Sequence, residues 1–225
     1  LKKIYNIRIY NQYLITIMDK KELFRIEITS SEKTKKILKN IIQMLCDRNV
    51  LKIDKYEEHC NKLIDSINDE FLFKLKSDYN DNLYIIKFVH YKLTTIKKVS
   101  EIENILYDSY QHDHKIFIVN DIVKKAYDQF MEFKNTEVFL EKELVTNVLD
   151  HVFQPNFEIL NKDEKNQLLD EYKLYKKQIP RMLETDPVAR YYNMKPGDIF
   201  RVIRQSVTSG NSISYRIVIK SSFTV

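Results

Sequence analysis

The sequence predicts an α+β chain of two domains. The N-terminal one is an α/β domain with a partly parallel sheet and an added β-meander in front of it; the C-terminal one is a small α+β domain. Three observations carry this prediction. Between residues 83 and 140, short apolar strand-like runs alternate with helix-like runs over short connections, the pattern of parallel strands joined by right-handed crossovers. Residues 3–28 alternate apolar and polar positions in short runs, as a meander does. All four prolines (Pro155, Pro180, Pro187, Pro196) and both glycines (Gly197, Gly210) lie after residue 154. Pro fixes φ and Gly permits positive φ, so only the last part of the chain carries sharply specified turns. A boundary is therefore placed near residues 148–156, giving segments 1–30, 31–149 and 150–225.

The elements follow in order. The meander has its turns at Asn11-Gln12 and Asp19-Lys20. A helix over 32–48 is expected because Ile37, Leu38, Ile41, Ile42 and Leu45 recur at helical spacing. A second, over 54–68, carries Tyr56, Cys60, Leu63, Ile64 and Ile67 on one side. The run LYIIKFV (83–89) reads as a buried strand. SEIENILYDSY reads as a helix opened by a capping box, Ser100 with Glu103. KIFIV (115–119) is a strand, 120–133 a helix and EVFL (137–140) a third strand. Beyond the boundary, Asn161 with Glu164 forms another capping box, for a helix through Tyr172. A short helix starts at Asp186, and strands cover 198–205 and 212–219.

Composition narrows the function classes. With 44% hydrophobic residues the chain has material for packed cores. No apolar run approaches the roughly 20 residues of a membrane span, and the N-terminus shows no signal-peptide pattern; no membrane partner is expected. Two cysteines, Cys46 and Cys60, make a poor disulfide framework and point to a reducing intracellular compartment. The net charge of +5 is spread over 37 basic and 32 acidic side chains, which reads as a mixed solvated surface rather than a dedicated phosphate patch.

Catalytic and cofactor constellations are hard to write from these residues. With glycine only at 197 and 210, neither GxGxxG nor a P-loop exists. Cys60 fits an apolar helical stripe better than a zinc site with His59 and Cys46, and the His112–His114 pair lacks a third ligand. Carboxylate pairs such as Asp163-Glu164, Asp170-Glu171 and Glu141/Glu143 sit at helix starts or on polar faces. A metal-dependent nuclease needs acids converging from strands, and here Glu137 stands alone at a strand start. No catalytic residue, metal or cofactor is expected. Lysines beside aromatics recur at Lys87–Lys92 and Lys124–Tyr127, weak signals for nucleic acid.

The stretch ETDPVARYYNMKPGDIFRVIRQS (184–206) is more specific. Asp186 can cap a helix that Pro187 starts; Asn193 can end it in a left-handed conformation. Lys195-Pro196-Gly197-Asp198 suits a type II turn. The following strand is apolar on both faces, Phe200 and Val202 on one, Ile199 and Ile203 on the other. Either helix and loops of the domain cover both faces, or one face or the edge docks on a larger partner.

The segment 178–218 resembles the C-terminal assembly domain of the fifth subunit of eukaryotic nuclear RNA polymerases, a domain with a homologue among the small subunits of archaeal polymerases. The matching residues are Pro180-Arg181, Asp186-Pro187-Val188-Ala189-Arg190-Tyr191, Gly197, Ile203-Arg204, Ser206, Thr208, Gly210 and Tyr215-Arg216. Residues 150–174 fit the start of that domain through His151, Pro155, Leu160, Asp163, Glu164, Leu168, Leu169, Tyr172 and Leu174. Residues 33–148 are loosely similar to the family's N-terminal jaw domain in element order. Phe157 stands where the family usually carries a second histidine, and Gln205 and Val207 replace its proline and acid.

The resemblance implies a non-catalytic polymerase subunit, anchored through residues 150–225 on the largest subunit beside neighbouring small subunits. The jaw would line the path of downstream duplex DNA, reached through the complex, with Lys124 and Lys125 as candidate phosphate contacts. Partner binding is assigned to Pro180, Arg181, Asp186, Pro187, Arg190, Tyr191, Arg204, Ser206, Thr208, Gly210, Tyr215 and Arg216. Localisation would be nuclear for a cellular protein, host cytoplasm and virion for a viral one. The divergence and the AT-rich residue usage point to a large DNA virus or a divergent eukaryote. The alternatives are a stand-alone DNA-binding module or a nuclease-like enzyme.

Overall fold

A computed structural model of the chain describes residues 29–67, 71–96, 99–108, 113–151, 153–173, 175, 178–206 and 210–220. The expected meander, His112 and Thr208 lie outside the described residues. The chain divides between Lys36 and Ile37 into two compact units. Of the first, the described part is Thr29–Lys36, the start of helix α1 (Ser30–Asp47). It opens earlier than residue 32 because Thr29 and Glu32 form a reciprocal cap: Glu32 N–H donates to Thr29 Oγ1 (3.3 Å), and Thr29 N–H donates back to Glu32 Oε2 (3.2 Å).

The second unit contains two sheets. The first has the order β1-β2-β3-β4, from β1 (Leu72–Lys76), β2 (Leu83–Leu93), β3 (His114–Ile122) and β4 (Thr136–Leu140). β2, β3 and β4 run parallel, while β1 pairs antiparallel with β2; the sheet is partly parallel, as expected. β1 is not among the strands expected from the sequence, although Phe73 and Leu75 point inward and Lys74 and Lys76 outward in plain alternation. Both faces are covered, which is why the parallel strands read as continuous apolar runs. On one face lie the stripe Ile37–Leu38–Ile41–Ile42–Leu45 of α1 and Cys60 and Leu63 of α2 (Tyr56–Asp65), packed on Phe73, Ile86, Phe88, Ile116 and Ile118. On the other, α3 (Ser100–Asp108) and α4 (Lys124–Met131) pack Ile102, Leu106 and Phe130 on Val89, Phe117, Val119 and Val138.

Two boundaries differ from expectation for identifiable reasons. β2 runs on to Leu93, so β3 finds a partner through Ile122, with Lys92 opposite Asp121 and their side chains 2.8 Å apart. The helix expected from residue 120 therefore starts at Lys124. In α3, Val99 rather than Ser100 takes the cap position, its carbonyl accepting from Glu103 N–H (3.1 Å).

The second sheet has the order β5-β7-β8-β6, from β5 (Asn156–Ile159), β6 (Arg181–Leu183), β7 (Ile199–Ser206) and β8 (Gly210–Ile219). β5 and β8 flank β7 antiparallel, and β6 joins β8 in parallel. After the four-residue α5 (Glu141–Leu144), the expected capping box is present at α6 (Lys162–Glu171). Asn161 Oδ1 accepts from Glu164 N–H, and Glu164 reaches back to Asn161 N–H (2.8 Å). α6 brings Leu168 against Ile199 and Ile217 on one face. α7 (Pro187–Tyr191) brings Val188 and Ala189 against Phe200, Val202 and Val218 on the other. Both apolar faces of β7 are thus covered by the chain's own helices near its start. Cover ends towards Arg204–Gln205, which are exposed, as are Gly210–Ser214 across from them.

Candidate functional site

Asp186 behaves as read from the sequence. Its carboxylate accepts from Val188 N–H (2.9 Å), and Pro187 occupies the first helical position, where no donor is needed. Asn193 follows at φ +50° and Gly197 at φ +98°. Asp198 N–H closes the turn on Lys195 C=O (3.0 Å), as a type II turn with Pro at its second and Gly at its third position requires.

What this corner does next departs from expectation. Arg190 and Tyr191 turn inward, onto the first sheet and α1. One Arg190 nitrogen donates to Glu143 Oε1 (2.9 Å), another to the Val138 carbonyl, and the guanidinium lies 4.8 Å from the centre of the Phe139 ring. Tyr191 is buried and its hydroxyl donates to Asp47 Oδ2 (2.8 Å). From the other side Arg48 grips Glu137 with two bonds of 2.8 Å each, and donates to the Tyr191 carbonyl (2.6 Å) and the Arg190 carbonyl (2.9 Å). Arg48 thereby supplies the donor that the helix end leaves missing at the Tyr191 carbonyl, and adds a second one to the Arg190 carbonyl, which also accepts from Asn193 N–H (3.0 Å). The side chains of Arg48 and Glu137 are 7% and 12% exposed, so water competes little for these bonds.

The electrostatics agree with a structural joint. Burial, and then the neighbouring Asp47 carboxylate that accepts its hydrogen bond, push the Tyr191 hydroxyl well above the usual tyrosine range. Burial pushes the Cys46 thiol up to about 12 and raises Cys60 as well; both stay protonated, unlike nucleophiles or metal ligands. Among the described residues, no group of three or more His, Cys, Asp or Glu side chains could hold a metal ion. His114 stacks on Tyr84 at 4.6 Å, and burial lowers its pKa. No described helix is long and apolar enough to cross a membrane.

The other residues singled out from sequence fall into three places. Pro180 and Arg181 are exposed at the start of β6. Arg204, Ser206, Gly210, Tyr215 and Arg216 lie on the β7–β8 hairpin, with Arg204 and Arg216 on the face of Phe200 and Val202, and Tyr215 on the opposite one. Lys124 and Lys125 open α4 at exposed positions, distant in the chain from the hairpin. The hairpin thus collects an outward group, whereas Arg190 and Tyr191 are used inside the chain because Arg48, Asp47 and Glu143 meet them there. The sequence alone did not point to those three partners. A signal for the joint did exist: Glu137 is an acid alone on an apolar strand, where only a buried cation makes it tolerable.

Comparison with known proteins agrees with this geometry. Residues 146–218 match the family described as RNA polymerase Rpb5, C-terminal domain. A DNA-directed RNA polymerase subunit 5 from Acanthamoeba polyphaga mimivirus is 34% identical over 207 residues, covering 88% of this chain and 98% of that protein. The chain belongs to the RNA polymerase subunit 5 family. A second member, a subunit of DNA-directed RNA polymerases I, II and III from Dictyostelium discoideum, is 31% identical over 191 residues, 81% of this chain and 95% of its own length. The corresponding protein of Caenorhabditis elegans is 42% identical over 83 residues, 37% of this chain and 39% of its own.

Proposed function

We propose that the chain is a non-catalytic subunit of a multisubunit DNA-directed RNA polymerase. The observation that carries this is the near full-length similarity to the mimivirus subunit, 98% of which is covered. In this reading the segment from 150 onward anchors on the largest subunit, neighbouring small subunits stand close by, and the α/β domain forms the lower jaw near downstream duplex DNA. The outward group on the β7–β8 hairpin and the exposed start of β6 supply the docking residues. Phosphoryl transfer is left to the large subunits. Lys124 and Lys125 are the candidate phosphate contacts, made once the complex presents DNA to the jaw. The compartment follows the polymerase: the nucleus for a cellular protein, host cytoplasm and virion for a viral one.

Function also explains the joint. A jaw anchored at one end transmits position to DNA only if its two sheets move together, and the Arg48–Glu137–Arg190 contacts tie β4 to α7. The test is affinity purification through a tag on this chain from the cells that express it. RNA synthesis on a DNA template should co-purify with the wild-type chain. The isolated chain should bind duplex DNA weakly or not at all. Tight binding in isolation, falling steeply with salt, would favour a stand-alone DNA-binding module; metal-dependent DNA cleavage would favour a nuclease.

A further inference from the structure

Among the described residues, the β7–β8 hairpin leaves one sheet edge open at a defined place. Along β8, Ile217 N–H donates to Pro180 C=O (2.9 Å) and Ile219 C=O accepts from Glu184 N–H (3.0 Å), while Val218 is bonded to the β7 side through Gly197 and Asp198. Backbone groups alternate in direction along a strand, and the β7–β8 register continues unbroken from Ile217 to Gly210. Asn211, Ile213 and Tyr215 therefore aim both N–H and C=O away from β7, towards the side where β6 has ended. β6 pairs with β8 only through Ile217–Ile219. It cannot extend the ladder by another step, because the next donor would be Pro180, which has no N–H to give Tyr215 C=O. Among the described residues no strand pairs with the outward edge of β8 at Asn211–Tyr215.

The two faces beside that edge differ in chemistry. Arg204 and Arg216 share the face that carries Ser212 and Ser214, and neither Ile203–Ser206 nor Gly210–Arg216 holds an acidic side chain. Ile203, Ile213 and Tyr215 share the other face with Arg201, whose guanidinium is paired with Glu158 (3.2 Å), and Ile213 is 56% exposed. A strand laid along the edge would place successive side chains on alternate faces. It would meet arginines without a carboxylate of the hairpin on one, and Ile213 and Tyr215, with Arg201 already paired to Glu158, on the other.

Resting on the subunit reading, we propose that the outer edge of β8 at Asn211–Tyr215 accepts an extended segment of the partner subunit as an added strand. The segment's side chains alternate between carboxylates, beside Arg216 and Ser214 and towards Arg204 one strand further in, and aliphatic groups, beside Ile213 and Tyr215. Main-chain bonds to Asn211, Ile213 and Tyr215 give register, and the alternation gives specificity. Proline at 180 stops the chain's own sheet at this point and so keeps the edge vacant for the partner.

The test compares amide hydrogen exchange in the free chain and in purified polymerase containing it. In the free chain the amides of Asn211, Ile213 and Tyr215 exchange fast. In the polymerase they slow by about tenfold or more, as new main-chain bonds require, while Ser212 and Ser214, bonded to β7 in both, change little. Incorporation of Ile213→Pro should fall by about tenfold, since it removes an outward donor and no β7–β8 bond. Arg204→Glu with Arg216→Glu should also weaken incorporation. Equal exchange in the two states, protection already present in the free chain, or normal incorporation of Ile213→Pro overturns the added strand, even where the chain is a polymerase subunit. A polymerase lacking the chain overturns the subunit reading instead, and the edge contact with it.

Discussion

Replacing Arg48 by alanine removes a cation from a site it shares with one carboxylate and two carbonyls. Glu137, 12% exposed, loses both of its 2.8 Å bonds, and the Tyr191 carbonyl loses its donor, while the Arg190 carbonyl keeps Asn193 N–H (3.0 Å). Breaking a buried pair by deleting one partner costs about 3–5 kcal/mol. The orphaned Tyr191 carbonyl raises the cost within that range rather than adding to it, because it shares the same guanidinium with Glu137. For a chain of this size about 1 kcal/mol at the midpoint corresponds to roughly 2–4 °C, so a fall of roughly 6–20 °C is expected. The assay is urea and thermal unfolding followed by circular dichroism and tyrosine fluorescence, since the chain has 15 Tyr and no Trp. Arg48→Lys should recover only part of the loss: an ammonium keeps the charge but lacks the planar fork that reaches Glu137 twice. The double variant Arg48→Met with Glu137→Met removes the stranded carboxylate. It should stay destabilised by about 1–3 kcal/mol, because the Tyr191 carbonyl still lacks a donor. A loss below about 1 kcal/mol for Arg48→Ala would refute the joint.

Three further outcomes concern a helix cap, the Asp78 carboxylate and Tyr191 of the joint. Asn161→Ala should lower stability by about 0.5–2 kcal/mol in urea unfolding, because Asn161 caps α6 through Asp163 and Glu164 N–H. The Asp78 carboxyl is held below the usual carboxylate range by the Lys52 N–H (2.8 Å), and also by His59 and Lys55. A depressed folded value gives stability that is present above the unfolded value of about 3.9 and lost as pH falls through the folded one. Asp78→Asn should accordingly flatten that part of the acid limb in a pH series of unfolding midpoints. For Tyr191 the sign is reversed. Its raised folded value stabilises below the unfolded value of about 10 and is lost as pH rises beyond it, so Tyr191→Phe should be less stable at neutral pH and show a shallower alkaline decline.

Local signals in the sequence survived folding where local chemistry decides the outcome. The Asn161 box, the Asp186-Pro187 start and the Lys195–Asp198 turn each rest on residues within a few positions, and each formed. The parallel order of β2, β3 and β4 was legible because their apolar runs show burial on both faces. Element ends were less legible: where β3 stops depends on the length of β2, and no local pattern records that. The roles of Arg190 and Tyr191 were not legible at all. A motif shows which side chains a corner exposes, but Asp47, Arg48 and Glu143, which receive them, lie far away in the chain. Both faces of β7 looked too apolar for a small domain until α6 and α7 proved to cover one each.

The most direct measurement is co-expression of this chain with the largest polymerase subunit from the same genome, followed by size-exclusion chromatography. Co-elution of the two chains at equal stoichiometry is the predicted result. The complex should be lost when Arg204 and Arg216 are both reversed to glutamate in a chain that still folds. A wild-type chain that elutes alone, at the position of its own 27.1 kDa, would contradict the assignment of the hairpin as a docking surface on that subunit.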